Sequence, residues 1–144
     1  MRITIDPAEL RLGQRLRARF DEAEPLIRQA IAEGAFAVHE HAIDAMSEQK
    51  SGASVKVSQT GRPHVRSAPG EAPAVETGRL KTSLHVSVAS NGRAEADVVA
   101  PTAYAAHLEY GTRHMAPRPF LAPALEANRE MIFEKVRRAV VGQR

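Results

Sequence analysis

Between residues 25 and 49 the apolar positions fall at Ile27, Ile31, Gly34, Val38, Ala42 and Ala45 or Met46. Steps of three and four residues place them on one face of a helix, so this stretch predicts the longest element of the chain. Gly34 lowers helix propensity by about 1 kcal/mol relative to alanine. Its place within the stripe points to a close helix–sheet approach. Upstream, Leu12, Leu16 and Phe20 recur every four residues with Arg11, Arg15 and Arg19 beside them. That pattern predicts a separate, basic helix, opened by Asp6 as N-cap and Pro7 at the first helical position and closed by Asp21 and Pro25. Ile3 and Ile5 alternate with polar residues, as in a short strand or extended arm.

The pattern changes to a period of two further on. Leu84, Val86 and Val88 point one way and Ser83, His85 and Ser87 the other, which predicts a strand. Asn91-Gly92 is a hairpin signal. The returning strand sets Ala94, Ala96 and Val98 against Arg93, Glu95 and Asp97. A two-residue turn would pair Val88 with Glu95 and mix the faces. A three-residue turn over Asn91-Gly92-Arg93 pairs Val88 with Ala96 and Val86 with Val98, and is the expected register. Pro101 ends the strand, and residues 102–110 read as a short helix closed by Gly111. Pro119 or Phe120 opens a last helix with Leu125, Ile132, Val136 and Val140 as its core stripe. Lys135, Arg137 and Arg138 suit its C-terminal dipole.

Residues 50–76 differ in kind: they hold Gly52, Gly61, Pro63, Pro69, Gly70 and Pro73 among many serines and threonines. A loop of that length is uncommon in a compact domain and is usually functional or disordered. Val55 and Val57 allow one strand turn inside it, as a projecting arm. The elements predict an α+β, two-layer domain. A small, mainly antiparallel sheet built on the central hairpin packs against a long N-terminal helix and a C-terminal helix, with a long Pro/Gly-rich loop between. The expected single domain spans 1–144: arm and basic helix over 1–24, long helix over 25–49, extended loop or arm over 50–76, hairpin over 77–100, short helix over 101–111 and C-terminal helix over 119–141. A lone hairpin is marginal in water, so either the arm and loop supply more strands or a neighbouring subunit does.

Composition narrows the chemistry. The chain has 144 residues, enough for one domain with its own core. It lacks cysteine, which removes disulfides and thiolate metal sites. It lacks tryptophan and is only 4% aromatic, which makes a base-stacking platform hard to build. No apolar run approaches the ~20 residues of a membrane helix, and Met1 to Asp6 have no signal-peptide core. The expectation is a soluble protein, cytoplasmic when made. The formal charge is +3, with both signs interspersed. Such a surface is compatible with nucleic acid nearby without requiring it.

Catalytic signatures are absent: no G-x-S-x-G elbow, no P-loop and no G-x-G-x-x-G. His39-Glu40-His41 on a helix point to different sides. His107, Glu109 and His114 lie close enough in sequence to converge on a metal, but solvated or capping histidines account for them better. No catalytic residue, metal site or cofactor is expected.

Two segments remain that composition does not explain. One runs Ser67-Ala68-Pro69-Gly70-Glu71-Ala72-Pro73 and on through Thr77-Gly78-Arg79-Leu80-Lys81-Thr82-Ser83-Leu84. The other runs Tyr104-Ala105-Ala106-His107-Leu108-Glu109-Tyr110-Gly111-Thr112 and on through Arg118-Pro119-Phe120-Leu121. A Pro-Gly-Glu-x-Pro loop after a long helix, a Thr-Gly-x-Leu-x-x-Ser turn, a hairpin, a Tyr-Gly-Thr turn and Arg-Pro-Phe-Leu opening a helix occur here in that order. In this the chain resembles the neck, head–tail joining or tail-completion proteins of long-tailed bacteriophages and prophages, also called minor tail components. The resemblance covers about residues 25–140; the basic first helix lies outside it.

The resemblance implies a structural virion protein at the head–tail junction. It implies a cyclic homo-oligomer, six- or twelve-fold, stacked between the connector and tail-tube proteins, with the genome passing through its channel. It implies no catalysis and no membrane. The prolines then stiffen the 69–73 loop, so that it loses little entropy on docking. The ring reading expects this loop to become ordered by clasping an adjoining copy. Candidate subunit-interface residues are Pro69, Gly70, Glu71, Pro73, Thr77, Gly78, Arg79, Glu109 and Arg118, with Glu109 and Arg118 partners of each other or of a neighbour. Thr77 is expected to cap the turn delivering Leu80 to the core. Tyr110, Gly111, Thr112, Pro119, Phe120 and Leu121 are expected to define the fold, and Arg11, Arg15 and Arg19 to face DNA in the channel. Two other readings stand beside this one. A basic nucleic-acid-binding module is motivated by Arg11, Arg15, Arg17, Arg19, Arg137, Arg138 and Arg144. A hydrolase or metal enzyme rests on His107, Glu109 and His114 alone. Within the phage reading, a tail terminator or head-closure ring is an alternative layer.

Overall fold

The structure, a computed structural model, describes residues 7–56 and 63–142. The expected strand over residues 1–6 lies outside them. The element order is α1 (Pro7–Ser47), β1 (Ser54–Lys56), β2 (Pro63–Val65), α2 (Arg79–Ser83), β3 (His85–Val88), β4 (Ala96–Val99), α3 (Ala105–Tyr110) and α4 (Leu121–Val141). The fold is α+β: long N-terminal and C-terminal helices pack together with two small antiparallel sheets.

The two predicted N-terminal helices are one. α1 runs unbroken for 41 residues with Pro25 inside it. A proline removes one backbone hydrogen bond and crowds the preceding turn. Helix formers on both sides, Glu22-Ala23-Glu24 before it and Ile27-Arg28-Gln29-Ala30 after it, carry the helix across that single lost bond.

α1 and α4 lie antiparallel, as Glu33 meets Lys135 while His41 meets Asn128. Gly34 marks the place where they touch. A Cβ built there would lie 2.6 Å from the Ile132 side chain, so the close approach is helix on helix, not helix on sheet. Further along α1, Val38, Ala42 and Met46 are buried with Leu80, Leu84, Ala105, Phe120 and Ala124 in one core cluster. The α4 stripe is placed differently from the sequence expectation. Ala124 and Ile132 turn inward, whereas Leu125 and Val140 are about half exposed. Core contact falls on the small Ala124, one turn after Phe120, and both are 1% exposed.

The β3–β4 register pairs Val86 with Val98 and Val88 with Ala96, as the face argument requires. Pairing ends at Ala89 and Glu95 (3.0 Å), so the connection is the five residues 90–94, longer than the three expected. Among the described residues this sheet stays two-stranded. The 50–76 segment is not structureless. β1 and β2 pair as a second hairpin with Val55 opposite His64, and Arg66 N–H continues it to Ala53 C=O. Val57 lies outside the described residues.

Candidate functional site

The two motif segments meet each other. Gly70 N–H donates to Pro117 C=O (3.0 Å) and the Arg118 guanidinium Nε donates to Ser67 C=O (3.1 Å). Glu71 accepts from Ala68 N–H (2.8 Å), Ser51 N–H (3.2 Å) and the Ser51 hydroxyl. The Ser51 hydroxyl, then the Ala68 and Ser51 amides, hold the Glu71 carboxyl below its ordinary value. These hydrogen bonds fasten the 69–73 loop to its own polypeptide. Two prolines stiffen it, and one carboxylate accepts three hydrogen bonds that fasten it down.

Glu109 and Arg118 do not pair. Buried Glu109 sits at the N-terminus of α4, where Oε2 accepts from Phe120 N–H (2.9 Å) and Leu121 N–H (3.1 Å), and Oε1 from Ala122 N–H (2.8 Å). A helix start leaves four N–H groups without helical partners. Three are bound by Glu109, and the next residue, Pro123, has none to offer. The negative charge also complements the positive end of the helix dipole. Glu109 is thus engaged at the helix start, His107 and His114 are exposed, and among the described residues no group of three potential ligands converges.

The turn between α3 and α4 depends on Gly111. Its φ is +76°, and a Cβ there would meet Met115 C=O at 2.8 Å. Its ψ of −177° places it outside the expected left-handed helical well, in a region open to glycine. Thr112 pairs with Met115 through the backbone, and its hydroxyl accepts from His114 N–H at 3.2 Å. Tyr110 is 83% exposed and takes no part in the core, so its expected folding role is corrected. Phe120 is 1% exposed, Pro119 and Leu121 half-buried. Thr77 is not the cap of α2: Gly78 occupies that position with φ +75°, and Thr77 accepts only a long 3.5 Å bond from Arg79 N–H. Leu80 is buried.

The remaining predicted residues border an open cleft of about 610 Å³ between the 63–81 segment and α3. Pro73, Thr77, Gly78, Arg79 and Arg118 line it, with Leu108 and Tyr104 on the α3 side. Sequence reasoning missed Arg66 and Lys81, which line it too. Among the described residues the rim thus carries four cations, Arg66, Arg79, Lys81 and Arg118, against one carboxylate, Glu76. That excess equals the formal excess of the whole chain, so the rest of the sequence is neutral in sum. Nothing in the spacing of these four residues announces a cluster. Pro69 and Gly70 are exposed outside the cleft. Arg11 and Arg15 and Arg19 have side chains outside the described residues.

A second surface feature runs along α4. Leu125, Phe133 and Val140 are 54%, 59% and 50% exposed, with half-buried Val136 between the last two. The spacing puts them on one side of the helix. Arg129 lies over the Phe133 ring at 5.7 Å. Leu125, Val136 and Val140 belong to the stripe expected to face the core, and Phe133 adjoins them.

No family model, no curated protein and no solved structure matches the chain. Among the described residues no helix is long and apolar enough to cross a membrane.

Proposed function

We propose that the chain is a structural subunit of a tailed-phage virion. It forms a ring at the head–tail junction that joins the connector to the tail tube and lets DNA pass. The order of the four motifs along residues 67–121 supports this reading. The observation that carries it is the exposed apolar side of α4, together with a β3–β4 sheet that stays two-stranded among the described residues. Such surfaces belong to a chain that completes itself by association. The 69–73 loop no longer contributes to the case, since its own chain holds it. Catalysis and a resident cofactor form no part of the proposal. Light scattering after size-exclusion chromatography, with electron images of the same fractions, tests it. Closed rings are expected; a protein that remains monomeric at every concentration and is absent from particles would refute it.

The cation rim of the cleft favours a second reading, a basic nucleic-acid-binding module. Its test is duplex binding titrated with salt, where several phosphate contacts give a steep loss of affinity. No binding at low salt removes that reading.

A further inference from the structure

We infer that the cleft beside α3 receives the first turns of α4 from a second copy of this chain, making the contact between copies head-to-tail. The inference rests on the assembly reading above and names the two surfaces that meet.

The cleft presents an apolar lining, including Val75, Leu108 and Met115, under a rim of net positive charge. The exposed side of α4 presents the complement. Leu125 and Phe133 are its apolar knobs, two turns apart, with Arg129 between them over the Phe133 ring and two exposed carboxylates, Glu126 and Glu130, beside them. Helices commonly dock in grooves through anchors at this spacing. The local competitor for Glu126 is Arg129 at 3.4 Å, an exposed pair of little value that can be exchanged. Arg66 and Arg79 are exposed, and among the described residues neither forms an ion pair. The two surfaces are different patches of one molecule, so their union is heterologous: it closes into a ring or runs on as a filament. A two-fold pairing of α4 with α4 would leave the cleft and its cations uncovered.

Two variants test this. The cleft variant carries Arg66→Glu and Arg79→Glu; the helix variant carries Leu125→Glu and Phe133→Glu. All four residues are exposed, and circular dichroism melts check that each variant folds; Arg79→Gln and Phe133→Ser replace any that does not. The wild-type chain should assemble and each variant alone should be monomeric by light scattering. Mixed, they should form a two-chain species and nothing larger, because only one intact cleft and one intact α4 remain to meet. Assembly of either variant to the wild-type size overturns the inference and leaves the assembly reading standing. Failure of the mixture to associate overturns it in favour of a two-fold or another contact. Loss of duplex binding in the cleft variant with assembly intact gives the cleft to nucleic acid and overturns it. A wild-type chain that stays monomeric at every concentration overturns the inference, and the assembly reading with it where the chain is also absent from particles.

Discussion

Replacing Glu109 by alanine should be among the most damaging single changes in this chain away from the apolar core. The carboxylate accepts from three consecutive backbone N–H groups at 2.9, 3.1 and 2.8 Å, and the residue is buried. A hydrogen bond to a charged group contributes about 1.5–3 kcal/mol, and a lost N-cap costs about 1 kcal/mol in simpler settings. The three bonds share one side chain and are not additive. With Phe120 N–H left unsatisfied beside the core, a loss of about 3 kcal/mol is expected for Glu109→Ala. Glu109→Gln keeps the shape but removes the charge and turns an NH2 group toward N–H donors, so about 2 kcal/mol is expected. Near 150 residues each kcal/mol moves Tm by about 2–4 °C. The alanine variant should therefore melt about 6–12 °C lower. The assay is denaturant unfolding followed by circular dichroism at neutral pH, with the slope checked for constancy. A loss within about 0.5 kcal/mol, the range of inert surface changes, would refute the capping argument.

Three further outcomes follow from particular contacts. Gly34→Ala gains helix propensity of about 1 kcal/mol but forces Ile132 aside; a net loss of about 1–2 kcal/mol is expected. Ile132→Ala removes the Cγ1 atom that a Cβ at position 34 would meet at 2.6 Å, so it should relieve most of that loss in a double-mutant cycle; strict additivity would contradict the close approach. Pro25→Ala restores a helical N–H and should raise stability by up to about 3 kcal/mol, read as a higher denaturation midpoint; a drop would mean that the helix needs the proline. Glu71 has its folded pKa lowered from 4.5, so the folded state binds its proton less readily than the unfolded chain does. Its contribution should be complete above the ordinary carboxylate value and fade as pH falls through the lowered one. Glu71→Gln should remove that part of the acid dependence, and identical pH profiles for parent and variant would exclude the anchoring role.

What the sequence determined by itself is local. The period of the apolar positions placed the long helix and the last helix, and the alternation around Asn91-Gly92 selected the β3–β4 register, because a one-residue slip would invert both faces. The α+β class followed from the order of those elements. Tertiary structure decided where competing local signals were close in energy or where the partner lay far along the chain. Pro25 looked like an end because propensity counts one lost bond, whereas the flanking helix formers outweigh it. Glu109 and Arg118 looked like a pair because opposite charges nearby suggest one; the helix start offered Glu109 three donors instead. The anchoring of Glu71 by Ser51, and the gathering of Arg66, Arg79, Lys81 and Arg118 on one rim, join positions that no periodicity relates. Which side of α4 faces the core was likewise a tertiary matter: Phe120 and Ala124 are buried at its head, and Ile132 fits against Gly34 where no Cβ stands in the way.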